Sequence, residues 1–347
     1  MKIGIIGGGI SSLYIANILK TNNEVTIFEN KNWGGDIQKD YIGDKCYPIS
    51  TLFAMPSDKL LKEEIKKLNI KTSNTTTPFI FFVVPIIFLL SLGLFYLIKA
   101  KTKKHALFYI ILMLAIIFLA IVALKSHLCN LVLSFGADKN CNSVSNYSNF
   151  DYDNIINILF SSIIFPEDCG MSKIVESYLN DKDITYMNNK VNNITRNKNN
   201  CTFTLDNNKK ITFDKCIISC RYEEYKSIIS LTEEEKSTLS GVEYFDFYST
   251  LVKLPENIDK PIIKDSIDYF QLDHKVYLIA SHKPITPEPN TYTFNKSYKW
   301  RMPIIKNILE RQKINKHDNI VFFIGKELAG NGVNSCMKYS KKLSTFF

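Results

Sequence analysis

The sequence predicts an α/β protein with a parallel sheet at its N-terminus and an inserted helical hairpin. Three observations support this fold class. A glycine-rich turn joins an apolar strand to a helix at the N-terminus, and a similar strand–turn–helix pattern recurs near the C-terminus. Between them, residues 79–98 and 106–124 contain no charged side chain.

The N-terminal run KIGII is followed by Gly7, Gly9 and Ser12 in the pattern G-x-G-x-x-S. A strand that ends in a glycine turn and opens into a helix presents free backbone N–H groups, which bind a pyrophosphate well. Gly7 permits the tight turn, Gly9 lets the phosphate approach the backbone, and Ser12 is small enough for helix and strand to pack. We predict a Rossmann-like dinucleotide site that includes Ile10 and Ser11 at the helix start. The alternative is a glycine-rich hairpin in some other α/β protein.

A second apolar strand, VTIF, ends at an acidic residue. Glu29 lies twenty residues after Gly9, which is the separation at which an acid hydrogen-bonds a ribose hydroxyl in dinucleotide-binding folds. The strand, turn, helix, strand and acid occur in the required order, and together they favour dinucleotide binding over the alternative.

Residues 3–38 resemble the N-terminal segment of the FAD-dependent amine oxidase, protoporphyrinogen oxidase and phytoene desaturase flavoproteins. In those families the acid is followed by a short loop and a Gly-Gly pair, here Gly34-Gly35. The resemblance implies FAD rather than NAD as cofactor, with Asn30 beside it. It also implies a glutathione-reductase-like FAD-binding domain, with a parallel sheet and a β-meander, joined to a mixed-sheet substrate domain. One departure is Asp36, where these families usually carry an arginine.

The resemblance resumes over residues 166–254. A glycine-initiated helix is followed by three strand-like segments, at 190–196, 201–205 and 210–220. In the family this meander lies beside the FAD adenine, which implies that the backbone of Val191 contacts that ring.

Residues 298–343 resemble the family's C-terminal FAD motif. A strand ends at Gly325, and Glu327 follows one position later than usual. The resemblance implies that Glu327 contacts the ribityl chain or phosphate. It also implies that the helix beginning at Gly332 and Val333 points its N-terminus at the flavin, where its dipole stabilises negative charge.

The substrate pocket and the catalytic groups are less defined by the sequence. Tyr298 and Trp300 are the aromatic residues we expect in the pocket, and no side chain is identified as catalytic. Cys216 and Cys220 come nearest to a metal-binding pair, but Cys216 lies in a strand pattern, so we predict no metal. The eight cysteines are expected to be reduced thiols.

The two uncharged segments predict a transmembrane hairpin over residues 77–128, because about twenty apolar residues span a bilayer as helix. The basic linker KAKTKKH separates them. A pair of buried helices in the substrate domain is the alternative. We therefore expect membrane localisation with two transmembrane helices. Because the first strand of the fold starts at the N-terminus, no signal peptide is expected and the soluble domain should face the cytosol.

Composition limits the possible partners and places the domain boundaries. The net charge is +9, but the lysines are scattered rather than arranged in a basic stripe, so nucleic acid is not an expected partner. The predicted segments are 1–76, 166–235 and 301–347 for the FAD-binding domain, 77–128 for the hairpin, 129–165 for a linker with helical substrate-domain parts, and 236–300 for the substrate-domain sheet.

These observations lead to two hypotheses for function. The first is a membrane-anchored FAD-dependent oxidoreductase that transfers hydride to flavin from an amine or from a hydrophobic small molecule drawn from the lipid bilayer. The alternative is a membrane-anchored protein that keeps the dinucleotide fold, has a weakened cofactor site, and serves a binding or structural role.

Overall fold

The structure is a computed structural model. It describes residues 1–52, 54, 58–75, 79–99, 102, 104–105, 107–117, 163–261, 266–285, 291–304, 311–316, 319–330 and 332–347.

Strands and helices are numbered here in chain order. The elements are β1 (Lys2–Ile6), α1 (Ile10–Leu19), β2 (Glu24–Phe28), β3 (Lys39–Ile42), β4 (Lys45–Pro48), α2 (Lys59–Lys67), β5 (Thr72–Thr75), α3 (Phe79–Ile98), β6 (Ile163–Pro166), α4 (Gly170–Leu179), β7 (Ile184–Met187), β8 (Val191–Arg196), β9 (Cys201–Leu205), β10 (Lys210–Phe213), β11 (Lys215–Ile218), α5 (Tyr222–Tyr225), α6 (Glu233–Leu239), β12 (Tyr244–Lys253), β13 (Ser266–Asp273), β14 (Val276–Ser281), β15 (Phe294–Pro303), β16 (Val321–Phe323), α7 (Lys326–Ala329) and α8 (Val333–Leu343).

The central layer is a five-stranded parallel sheet in the order β16-β11-β1-β2-β7. Its inner strands β1, β2 and β11 are buried after their first residue, as expected for strands covered on both faces. Ile3, Ile5 and Ile27 are fully buried. Because all five strands run the same way, the loops after β1, β2, β11 and β16 meet at one edge, where open α/β sheets bind ligands.

Helices cover one face of this sheet. Helix α1 connects β1 to β2, and α8 packs against it from the other end of the chain. Ser340 in α8 donates a hydrogen bond to the backbone oxygen of Ser11 over 3.0 Å, and it is fully buried. The C-terminal helix is thereby held against the start of the N-terminal one.

The predicted meander is present on the opposite face. Strands β8, β9 and β10 form an antiparallel sheet, and Phe203 from its middle strand contacts Phe28 at a ring-centroid distance of 5.4 Å. The predicted strand at 210–220 is divided at Asp214 into β10 and β11. This break allows the chain to leave the meander and enter the parallel sheet.

A second, four-stranded antiparallel sheet has the order β13-β14-β12-β15. One face packs against the β3–β4 hairpin through Tyr47, Leu251 and Leu278. The other face has its own buried cluster, which includes Val252 and Ile279. The predicted strand-rich region is therefore a sheet with apolar residues on both faces.

A disulfide joins Cys46 in β4 to Cys169, directly before α4. The expectation of reduced thiols is wrong for this pair. The sequence could not show the pairing, because 123 positions separate the two residues and only the fold brings their Cα atoms to 6.0 Å. The cysteines that the structure describes as free are Cys201, Cys216, Cys220 and Cys336.

The inserted transmembrane hairpin is not supported. Helix α3 is present, and residues 107–117 are also helical. Among the residues that the structure describes, however, no helix is both long and apolar enough to cross a membrane. The prediction of a membrane-spanning segment over 77–128, and of membrane localisation with two transmembrane helices, is therefore wrong.

The end of the segment 129–165, which follows the predicted hairpin, is a strand. Of residues 129–165, where a linker with helical parts was predicted, 129–162 lie outside the described chain, and Ile163–Pro166 form β6. That strand pairs with β5 in antiparallel register, with Asn74 opposite Ile164. Two β-branched isoleucines at 163–164 suit a strand better than a helix end.

Candidate cofactor site at the carboxyl edge of the parallel sheet

A cavity of about 850 Å³ lies at the edge where β1, β2, β11 and β16 end. Its volume is within the range of small-molecule and cofactor sites. The predicted site residues that line it are Gly7, Gly9, Ile10, Ser11, Glu29, Asn30, Gly34, Gly35, Val191, Trp300, Gly325, Glu327 and Val333. Segments far apart in sequence thus meet in one site.

The glycine turn after β1 forms the floor of the cavity. The N–H of Gly7 donates to the Phe28 backbone oxygen at 2.8 Å, which ties the turn to the end of β2. Helix α1 then begins after Gly9 with no side-chain cap. Its first N–H groups therefore face the cavity as donors, with the positive end of the helix dipole behind them.

The backbone of Gly34 and Gly35 packs against this glycine turn. The N–H of Gly34 donates to the Gly8 oxygen at 2.8 Å, and Gly9 and Gly34 form an isolated parallel bridge. A Cβ on Gly35 would lie 3.1 Å from the Gly9 Cα. A Cβ on Gly9 would meet no backbone or side-chain atom closer than 4.0 Å. The space above Gly9 is consequently open toward the cavity, which fits a phosphate approaching the backbone.

Glu29 stands at the end of β2, as predicted. One carboxylate oxygen accepts the N–H of Gly8 at 2.6 Å, and the other accepts the N–H groups of Asn30 and Lys31 at 2.8 and 2.7 Å. Three backbone donors fix the side chain beside the glycine turn. An acceptor held there can receive hydrogen bonds from the hydroxyls of a ribose.

A cluster of opposite charges borders the cavity near Glu29. The Glu224 carboxylate accepts from Lys31 Nζ and from the Arg221 guanidinium, both at 2.7 Å. Burial raises the pKa of Glu224, but the hydrogen bonds from Arg221 and Lys31 outweigh it, so this pKa is lowered. The residue is an anion that holds two cations at the rim.

Glu327 follows the strand β16 and is the second residue of the short helix α7. It is 5 % exposed, and its carboxylate accepts the Tyr244 hydroxyl at 2.7 Å and the Tyr222 N–H at 3.2 Å. Burial raises the pKa of this carboxyl. The side chain lines the cavity wall, and one of its oxygens is engaged by the second sheet. Its contact with a ribityl chain stays a prediction.

Helix α8 directs its N-terminus at the same cavity. It starts after Gly332 without a side-chain cap, and Val333 and Cys336 line the wall. Burial raises the pKa of the Cys336 thiol, so this group is a neutral wall residue. A second helix dipole thus faces the cavity.

The second sheet supplies the remaining wall through Trp300. Its indole N–H donates to Ser249 Oγ at 2.7 Å, and its ring stacks on Tyr298 with centroids 6.5 Å apart. Tyr298 donates its hydroxyl to Asp40 and lies behind Trp300 rather than on the cavity surface. Of the two predicted pocket aromatics, the structure places one on the cavity.

Three predicted site residues do not line the cavity. They are Ser12, Gly332 and Tyr298. Ser12 is fully buried, in keeping with the packing role that its small size predicts. Gly332 precedes the first residue of α8. The cofactor contacts of all predicted site residues remain predictions.

Sequence reasoning missed several charged wall residues, chiefly Lys31, Arg221 and Lys326. Arg221 and Lys326 follow the ends of β11 and β16, so the rule that ligands bind beyond the carboxyl ends of parallel strands could have found them. Among the residues that the structure describes, no group of three metal-ligating side chains occurs.

The residues present fit a flavin dinucleotide. Two uncapped helix N-termini, an open glycine backbone and a fixed carboxylate border the cavity, and these are the donors and acceptors that phosphates and ribose hydroxyls require. FAD is the cofactor that this arrangement and the resemblance together support.

Comparison with known proteins rests on structure alone. No protein-family model matches the chain, and no curated protein sequence matches it. A fatty acid isomerase from P. acnes, described as producing CLA, matches with a TM-score of 0.68 at 12% identity over 99% of this chain and 98% of its own. A putative protoporphyrinogen oxidase from Exiguobacterium sp. 255-15 matches with a TM-score of 0.66 at 11% identity over the same shares.

A putrescine oxidase bound to putrescine also matches, with a TM-score of 0.63 at 11% identity over 99% of this chain and 98% of its own. At such identities the likeness establishes the fold rather than the activity. The resemblance inferred from the sequence is confirmed at the level of the fold, which this chain shares with the putrescine oxidase and the putative protoporphyrinogen oxidase.

Proposed function

We propose that this protein is an FAD-dependent oxidoreductase that transfers hydride from a small organic substrate to the flavin. The observation that carries the proposal is the convergence of both glycine motifs on one cavity. The turn at Gly7–Gly9 and the helix that starts at Val333 are more than three hundred residues apart, and both line this cavity.

The chain's own residues bind and orient the cofactor. The N-terminus of α1 receives the pyrophosphate, and Glu29 receives ribose hydroxyls, because each presents the matching donor or acceptor. The N-terminus of α8 stabilises negative charge at the other end of the cavity. When bound, the flavin supplies the hydride-accepting chemistry, and the protein contributes position and electrostatics.

Trp300 marks the substrate end of the cavity. Its ring is fixed by Ser249 and Tyr298, so it presents a rigid apolar surface. Lys299 and Arg301, its chain neighbours, pair with Asp246 at 2.9 and 3.2 Å. We propose a substrate with an apolar body that packs on Trp300, either an amine or another hydrophobic small molecule. The lipid bilayer is no longer proposed as its source, since that idea depended on the transmembrane hairpin.

The cofactor is tested first. The purified protein is examined by absorption spectroscopy, before and after addition of FAD, and released cofactor is identified by mass. We expect a flavin spectrum near one FAD per chain. A protein that is colourless and does not take up added FAD would contradict the proposal and favour the structural role instead.

The reaction is tested next with the flavin-loaded protein. Primary amines and neutral hydrophobic molecules are added without oxygen, and flavin bleaching at about 450 nm is followed. A substrate of either class should bleach the flavin. The variant Trp300→Ala should raise KM for that substrate while leaving the flavin content unchanged, because the ring contacts substrate rather than cofactor.

A further inference from the structure

We infer that Lys326 is the cation that pairs with the pyrophosphate of the bound dinucleotide, and that Asp36 holds it in position before the dinucleotide binds. The inference deepens the proposed function and rests on it. Lys326 Nζ forms an ion pair with the Asp36 carboxylate. Both residues line the cavity, and this ion pair is the observation that supports the inference.

The two residues reach the cavity from different sides. Asp36 directly follows Gly35, whose backbone packs on Gly9 at the start of α1. Lys326 directly follows Gly325, after the strand β16. Because the N-terminus of α1 is the part of the cavity suited to a pyrophosphate, the ion pair stands beside the position that the phosphates would take.

Lys326 is held without being removed from solvent. The exposed fraction of its side chain is 23%, and that of the Asp36 side chain is 39%. Lys326 Nζ also contacts the sulfur of Met302 at 3.4 Å, so the ammonium is fixed between the second sheet and the glycine turn. A cation already fixed in place loses little freedom when it pairs with a phosphate.

The opposite charges of Lys326 and Asp36 give them opposite effects on dinucleotide binding. A pyrophosphate carries about two negative charges, so an approaching dinucleotide is attracted by Lys326 and repelled by Asp36. Before the dinucleotide binds, the ion pair with Asp36 keeps Lys326 directed at the cavity. When the dinucleotide binds, its phosphate oxygens replace the carboxylate as partners of the ammonium.

The variants Lys326→Met and Asp36→Asn should therefore change affinity in opposite directions. Lys326→Met should weaken FAD binding by on the order of tenfold or more, since a hydrogen bond to a charged group is lost and Asp36 is left unpaired. Asp36→Asn should tighten it severalfold, because the repulsion disappears. The double variant should fall between the two.

Fragments of the cofactor locate the effect. ADP carries the pyrophosphate and riboflavin does not, so Lys326→Met should weaken ADP binding and leave riboflavin binding unchanged. Titration calorimetry at several salt concentrations measures both. The salt dependence of ADP affinity should become less steep in this variant, because fewer counterions are exchanged when one cation is missing.

Lys20→Met is the matched control. Lys20 pairs with Asp181, and its side chain also keeps 23% of its exposure, but it lies outside the cavity lining. This variant should bind FAD, ADP and riboflavin as the natural protein does. Circular dichroism establishes that each variant is folded before binding is measured.

The outcomes separate this inference from the proposed function. If the natural protein binds FAD and Lys326→Met binds ADP as tightly as Lys20→Met does, the role of Lys326 is refuted and the flavoprotein remains. If the natural protein binds neither FAD nor ADP, the proposed function fails, and this inference fails with it. Should Lys326→Met not fold, Asp36→Asn decides alone, and weaker FAD binding by that variant would overturn the inference.

Discussion

Replacement of Gly9 by alanine should separate cofactor binding from folding. Gly9 has φ −77° and ψ 172°, a conformation that alanine adopts without strain. The added Cβ would have the Gly35 Cα as its nearest neighbour, at 4.0 Å, which is ordinary van der Waals contact. Gly9→Ala should therefore cost no more than about 1 kcal/mol of unfolding free energy, because alanine is a poorer helix N-cap than glycine by about that amount.

The same methyl group would stand in the space that a phosphate needs. An extra methyl in a closely packed contact costs about 1–3 kcal/mol. Gly9→Ala should accordingly weaken FAD binding by about tenfold to a hundredfold. Affinity is lost while stability is kept, because the cavity side of Gly9 is open and its protein side is not crowded.

Gly35→Ala is the contrasting variant. Gly35 has φ +61°, where an L-residue costs about 1–2 kcal/mol. Its Cβ would also lie 3.1 Å from the Gly9 Cα, and that neighbour is backbone, which cannot rotate away. Gly35→Ala should therefore destabilise the fold by about 2 kcal/mol or more.

Urea unfolding followed by circular dichroism measures the first quantity, and flavin fluorescence quenching during FAD titration measures the second. The reasoning would be refuted if Gly9→Ala bound FAD with the affinity of the natural protein. It would also be refuted if Gly9→Ala and Gly35→Ala lowered the unfolding free energy equally, because the open space at Gly9 and the crowding at Gly35 predict different losses.

Three further variants test the disulfide, the buried carboxyl and the buried ion pair. Cys46→Ser with Cys169→Ser should lower the unfolding free energy by about 2–4 kcal/mol, because the bridge restricts the unfolded chain; equal urea midpoints with and without reductant would contradict this. Burial raises the pKa of Glu327, so the folded state binds its proton more tightly than the unfolded state does. Protonated Glu327 therefore stabilises the folded state below its unfolded-state pKa of about 4.5, and this contribution is lost as the pH rises through its higher folded-state pKa. Glu327→Gln should flatten that decline in pH-dependent unfolding, and an unchanged slope would exclude Glu327 as its source. Arg196 donates to both oxygens of the buried Glu235 at 2.9 and 3.0 Å. Arg196→Met should lower the unfolding free energy by about 3–5 kcal/mol, because it leaves the buried charge of Glu235 without its cation. A loss below about 1 kcal/mol in urea unfolding would show that Glu235 finds another partner or takes up a proton.

Much of the fold could be predicted because its signals are local. The glycine turn before α1, the acid after β2 and the meander around β9 are each set by backbone conformation or alternating burial within a few residues. The C-terminal strand and helix were found in the same way. The structural likeness to flavoproteins confirms the fold that these short patterns predicted.

The hairpin prediction failed because hydrophobicity along the chain does not specify what surrounds a helix. Residues 79–98 are uncharged, and that property alone suggested a bilayer. In the part of the chain that the structure describes, no helix qualifies as a membrane span. The disulfide was hidden for a related reason, because its two cysteines are 123 positions apart and only the fold brings them together.

The sequence by itself determined the strand, glycine turn and helix that predict a dinucleotide site, because a tight turn and a close backbone approach require glycine at fixed positions. Only the tertiary structure decided which charges surround that turn. Asp36 and Lys326 are 290 residues apart in sequence, and Asp36 alone looked like a departure from the family pattern. They meet because parallel strands end at one edge of the sheet, and long-range pairings of this kind leave no periodic or local trace in the sequence.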